Sequence, residues 1–121
     1  MAAIPKSILW VRGGSNDGGT ISLREGTTVL GRDPNNHVVV DEPGVSRQHA
    51  GIRSDQQGHW IEDLGSRNGT FVNGVEVEGE GRRLRNMDRI ELGGNTSVHW
   101  VYRELGGTIQ MRLPDIDNKP G

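Results

Sequence analysis

The stretch Gly44-Val45-Ser46-Arg47-Gln48-His49-Ala50-Gly51 sets a hydroxyl three residues before an imidazole, with a guanidinium between them. Residues of these types at this spacing admit two chemistries. Ser46 and His49 are a nucleophile and its base if an acid such as Asp63 completes a hydrolytic triad. Alternatively, Ser46 and Arg47 hold an anion while His49 braces the loop. The triad reading has little specificity, because almost any chain of 121 residues contains all three residue types. The Gly-x-Ser-x-Gly elbow between a strand and a helix is also absent. His37, His49, His59 and His99 are scattered without ligand spacing, Asp115–Asn118 lacks the rest of a calcium loop, and there is no Walker glycine loop. The expectation is no enzyme, no metal and no cofactor.

The anion reading draws on more of the chain. Arg32 follows Val29-Leu30-Gly31, and Arg67-Asn68 lies inside Leu64-Gly-Ser-Arg-Asn-Gly-Thr70, so each sits where an apolar run gives way to a turn. A phosphate dianion suits such residues. Guanidinium offers paired charge-assisted donors, serine a rotatable hydroxyl, and turn amides further donors. Each charged hydrogen bond contributes about 1.5–3 kcal/mol net, and micromolar binding needs about 8 kcal/mol in all. Taken singly, Arg32 reads as a solvated arginine, Ser46 as a loop cap, and Asn68-Gly69 and Asn73-Gly74 as hairpin turns.

Short β-branched runs must position these residues. The pattern predicts strands near 7–12, 20–24, 27–31, 37–40, 49–54, 58–63, 70–72, 75–77, 89–93 and 96–104, separated by clusters such as Arg-Asp-Pro-Asn-Asn and Leu-Gly-Gly-Asn. About ten strands without an intervening helical run predict antiparallel sheets packed as a sandwich, whose loops can gather at one rim. Arg82–Leu92 lacks glycine and proline and sets Leu84 and Met87 three apart, which leaves a single helical turn as an alternative there. Trp10, Trp60 and Trp100 fall in strands and are expected in or against the core. The 19 glycines and 5 prolines fit a folded chain of many turns.

Net charge is −2, which excludes a broad field for nucleic acid or an acidic membrane; 12 of the 14 basic residues are arginine, which favours a forked anion site. With no cysteine, disulfides and thiolate chemistry are excluded. The opening Met-Ala-Ala-Ile-Pro-Lys lacks a signal-peptide apolar run, so a soluble, cytoplasmic chain is expected. Residues 1–105 are expected to form one domain. Residues 106–121 open with Gly-Gly and end polar, as a tail or linker, with Ile109, Met111 and Leu113 leaving room for a marginal strand.

The order Gly31-Arg32, Ser46-Arg47-x-His49, Trp60-x-x-Asp63-Leu64-x-Ser66-x-Asn68-Gly69-Thr70-x-Val72-Asn73-Gly74 resembles the forkhead-associated (FHA) domain family, over roughly residues 7–105. The resemblance implies an all-β antiparallel sandwich of about eleven strands, FHA/SMAD-like, with binding loops at one end. It also implies recognition of phosphothreonine on a partner protein, a mode for which this family is a standing example. By position, Arg32 and Ser46 match the principal phosphate contacts, with Arg47 and Arg67 beside them. Asn68 matches the contact to the peptide main chain, and Gly31, His49, Gly69, Asn73 and Gly74 match the loop scaffold. A Ser/Thr kinase acting upstream follows, with no nucleic-acid or membrane partner. The alternative is a scaffolding module of the same fold that binds an unmodified protein surface. Where the family usually has Gly-Asp before its late strand, this chain has Met87-Asp88, and Asn86 is expected to take the awkward backbone angle instead.

Overall fold

The alternation in Ser7-Ile-Leu-Trp-Val-Arg12 is the simplest case of how this sequence makes strands. Ser7, Leu9 and Val11 are buried while Ile8, Trp10 and Arg12 are half-buried on the opposite face, as the two-residue repeat of a strand requires. The computed structural model describes residues 6–94 and 97–105. It contains eleven strands: β1 Ser7–Arg12, β2 Thr20–Ser22, β3 Gly26–Gly31, β4 Val38–Val39, β5 Ala50–Asp55, β6 Gly58–Asp63, β7 Thr70–Val72, β8 Val75–Glu76, β9 Arg82–Arg83, β10 Arg89–Leu92 and β11 His99–Glu104. The predicted tail and its marginal strand at 106–121 lie outside the described residues.

The strands form a six-stranded sheet, β2-β1-β11-β10-β7-β8, and a five-stranded sheet, β4-β3-β5-β6-β9. Pairing is antiparallel throughout, apart from the β3–β4 pair, which is parallel. Between the sheets lies one core in which Leu9, Leu30, Ile52, Ile61, Ile90 and Tyr102 are almost fully buried. Each such aliphatic side chain contributes about 1.5–3 kcal/mol on leaving water. Polar groups inside are paired. The Ser54 hydroxyl lies 2.6 Å from His59 Nδ1, Tyr102 Oη lies 3.0 Å from Ser7 Oγ, and the His59 and Tyr102 rings meet edge to face across the two sheets.

Register decides which loops share an end. Arg12 is opposite His99, Leu92 opposite Thr70, Leu30 opposite Ala50, and Ala50 opposite Asp63. The connections β1–β2, β3–β4, β4–β5, β6–β7 and β10–β11 therefore open at one end of the sandwich. The β5–β6, β7–β8, β8–β9 and β9–β10 connections open at the other.

Three expectations need adjusting. The helical turn allowed for Arg82–Leu92 does not form. Arg82 and Arg83 instead make a two-residue strand against Ile61 and Trp60. Two charged residues carry no alternating pattern, and only the neighbouring edge of β6 reveals them as a strand. Trp60 is held there between the guanidiniums of Arg53 and Arg83, at 4.9 and 5.4 Å from the ring centre. Finally, Met87 rather than Asn86 takes the left-handed backbone, with φ 75°. Its amide donates to Tyr102 O at 2.7 Å, while Asp88 accepts from the Arg85 amide and Asn73 Nδ2, so neighbours on both sides hold the unfavourable angle.

Candidate functional site

The loop end is built around Ser46. Its backbone carbonyl accepts the Arg32 amide at 2.9 Å, its Oγ accepts the Arg67 amide at 3.0 Å, and its own amide donates to His49 Nδ1 at 3.0 Å. Three connections (β3–β4, β4–β5 and β6–β7) thus meet at one residue. Because Oγ serves as an acceptor for Arg67, its own O–H is still available to donate outward. The Arg32 side chain donates through Nε to Val45 O at 2.9 Å, which steers the guanidinium and leaves its terminal nitrogens without a partner among the described residues. Neither Arg32, Arg47 nor Arg67 has a carboxylate partner among the described residues.

His49 explains why these loops keep their shape. It is fully buried at the start of β5, and its Nε2 lies 2.6 Å from Gly69 O. Since Nδ1 accepts an amide proton, the ring proton must sit on Nε2 and be donated to that carbonyl. One imidazole therefore ties the serine loop to the β6–β7 loop, and it meets the serine through the main chain and not through the hydroxyl. The triad is not assembled. Asp63 takes its hydrogen bonds from Ser66 and Thr70, and no bond links it to His49. The brace reading holds.

Close approach sets the remaining scaffold. A Cβ on Gly31 would stand 2.1 Å from Arg47 O, so only glycine lets β3 and the serine loop touch. Gly69, with φ 90°, turns the chain between Asn68 and Thr70. Asn68 Nδ2 donates to Gly44 O at 3.0 Å, which leaves its Oδ1 facing no described partner and able to accept an amide from a bound main chain.

Asn73 and Gly74 do not join this cluster, contrary to the scaffold role expected of them. β7 is three residues long and carries the chain from the loop end to the opposite one, where Asn73 (φ 53°) and Gly74 (φ 82°) form the β7–β8 turn. Asn73 there accepts the Arg89 amide and donates to Asp88. Two contributors escaped the sequence reading. Asn36 Nδ2 donates to Arg47 O at 2.6 Å, and a Cβ on Gly93 would stand 2.4 Å from Gly44 O. Their only signal was membership of turn-rich clusters, which does not say what the turn will touch.

Asp63 anchors the β6–β7 loop from below. Burial pushes its carboxyl up, but hydrogen bonds from Ser66, Thr70 and the Ser66 and Gly65 amides outweigh this and hold it below the ordinary carboxylate range. A depressed folded-state value means that the ionised form adds stability at neutral pH. That stability is lost as pH falls below about 4, through the folded value. Asp63→Asn should therefore lower stability at pH 7 by about 1–3 kcal/mol, and the difference from the parent protein should shrink toward pH 3. Chemical denaturation at the two pH values checks this; a gap that widens in acid contradicts it.

Fold and loop cluster together define a β-sandwich that presents a shared loop surface at one end. A sequence model of the FHA domain matches residues 28–93, and the chain belongs to the FHA domain family. It is similar to the glycogen accumulation regulator GarA of Mycolicibacterium smegmatis, with 36% identity over 87 residues, 72% of this chain and 54% of that protein. It is 45% identical over 60 residues to protein FraH of Nostoc sp., covering 49% of this chain and 21% of FraH. A solved FHA domain studied for phosphothreonine-dependent interactions superposes with a TM-score of 0.73 at 35% identity, covering 83% of this chain and 97% of that one. The chain spans about half the length of GarA and a fifth of FraH. Among the described residues no helix is long and apolar enough to cross a membrane.

Proposed function

We infer that this domain binds a phosphothreonine-bearing segment of a partner protein and catalyses no reaction on it. Arg32 and the Ser46 hydroxyl take the phosphate, Arg47 and Arg67 add positive charge and donors beside it, and Asn68 holds the main chain next to the phosphothreonine. Residues 1–105 act as the binding module and 106–121 as a linker. A cytoplasmic Ser/Thr kinase that marks the partner controls the interaction. The observation that carries this reading is the convergence of Arg32 and Arg67 on one serine, each through a direct hydrogen bond, with no carboxylate among the described residues neutralising either guanidinium. The regulator among the relatives and the phosphothreonine-dependent neighbour support it.

The threonine methyl by itself adds about 0.8 kcal/mol, close to a fourfold preference over phosphoserine. Fluorescence anisotropy with a phosphothreonine-oriented peptide library, with phosphoserine and bare-threonine controls, tests the function. Micromolar binding is expected for the phosphothreonine pool and none for the bare pool. Equal binding of the bare pool would falsify phosphate recognition and return the scaffolding alternative.

A further inference from the structure

A cleft of about 300 Å³ opens where the edge strands β2 and β4 leave the two sheets apart. Ile21, Val38, Val40, Val98 and Trp100 wall it, half-exposed Val39 stands on its lip, and Asp41 and Glu42 complete the rim. Nothing in the loop cluster described above uses it. It is at the small end of ligand pockets, roughly 300–1,000 Å³, and its apolar walls suit one or two side chains better than a cofactor.

The cleft is continuous with the Ser46 cluster. The Val40 amide donates to Gly31 O at 2.8 Å, and the next residue along β3, Arg32, donates its amide to Ser46 O at 2.9 Å. The rim and the serine are also the two ends of one turn, closed by the Val45 amide on Glu42 O at 3.0 Å. A peptide held at Ser46 therefore passes the cleft within a few residues, since extended chain advances about 3.3 Å per residue. The signs of charge differ between the two places. Arg32, Arg47 and Arg67 are cationic, whereas the cleft rim carries an exposed Asp41 and a Glu42 that accepts from Ser97 Oγ at 3.1 Å.

We propose that this cleft takes an apolar side chain, flanked by a lysine or arginine, from the same phosphothreonine-bearing segment that the Arg32 and Ser46 loops hold. The proposal rests on the phosphothreonine reading above and adds a second specificity element to it. Phosphate and apolar anchor are read on the two sides of the Asp41–Ser46 loop, so a partner must present both at a fixed separation. The acidic rim selects against segments with acidic residues beside the anchor.

The test is selection of full-chain protein against peptides with one fixed phosphothreonine and randomised flanks. The intact chain should select an apolar residue next to lysine or arginine at one constant offset. Asp41→Lys should abolish the basic preference and weaken the selected peptide roughly two- to fivefold. Val39→Asp should weaken it roughly tenfold, by placing a charge on the apolar lip. Both variants should melt as the parent does and bind an alanine-flanked phosphothreonine peptide unchanged. Arg32→Ala should lose both peptides. Phosphothreonine binding with identical flank selection in the parent and both cleft variants overturns the cleft proposal alone, whereas no phosphothreonine binding by the parent overturns the underlying function as well. A dimer that Val39→Asp dissolves, or an unphosphorylated peptide of residues 106–121 that competes at the cleft, assigns the cleft to this chain's own copies or tail and overturns the proposal too.

Discussion

Arg32→Ala should reduce affinity for a phosphothreonine peptide by about 2–5 kcal/mol, roughly 30-fold to several thousand-fold, while leaving the fold intact. The size follows from what would remain. Ser46 Oγ and nearby amides would still surround the phosphate, but two of its charges would have lost the forked donor that matches them. Arg32→Lys should recover only part of the loss, because an ammonium supplies charge without the paired geometry. Stability should change little, since the side chain is exposed and makes a single bond, to Val45 O. The same phosphate chemistry sets a pH dependence. The second ionisation of a phosphate ester lies near 6, so binding to the intact protein should weaken as pH falls through that value. Isothermal titration at pH 7.5 and 5.5, with parent and variant, measures all of these effects. An Arg32→Ala protein within threefold of the parent would remove Arg32 from the site.

The second large effect falls on stability. His49→Ala should cost about 3–5 kcal/mol. Two groups lose their partner when the imidazole goes, the Ser46 amide and the Gly69 carbonyl, and each buried group left unpaired costs about 1–3 kcal/mol. The fully buried ring also leaves a cavity. For a domain of this size the melting temperature should drop by about 15 °C or more. The pair of variants separates the roles: Arg32→Ala loses ligand and keeps stability, whereas His49→Ala loses stability first and ligand as a consequence. Thermal melts with and without phosphopeptide distinguish the two. A His49→Ala protein that melts with the parent would show that the loops do not depend on the imidazole brace.

Different parts of the molecule were legible in the sequence for different reasons. Alternation marked β1, β5, β6 and β11, because each buries one face and the two-residue repeat is then written into residue types. β9 was missed because its two arginines bury no alternating face and exist as a strand only through β6. At the loop end, Arg32, Ser46, Arg47, Arg67, Asn68 and the bracing His49 could be named from their order along the chain. The Ser46–His49 spacing alone did not choose between base and brace. That was settled by Nδ1 meeting the Ser46 amide instead of its hydroxyl, a choice of rotamer and main-chain path.

Residue types and their order were enough to establish an all-β chain, glycine-punctuated, cysteine-free and arginine-rich, with an anion-binding set distributed over three separate turns. Periodicity and turn chemistry act within a few residues, so they survive in one dimension. Register acts across tens of residues. It sent Asn73 and Gly74 to the far end, brought Asn36 and Gly93 against the serine loop, and opened the cleft between β2 and β4. Only packing two sheets against one core decides which strand ends become neighbours, because strand pairing distributes loops between the two ends by the direction and length of every strand before them.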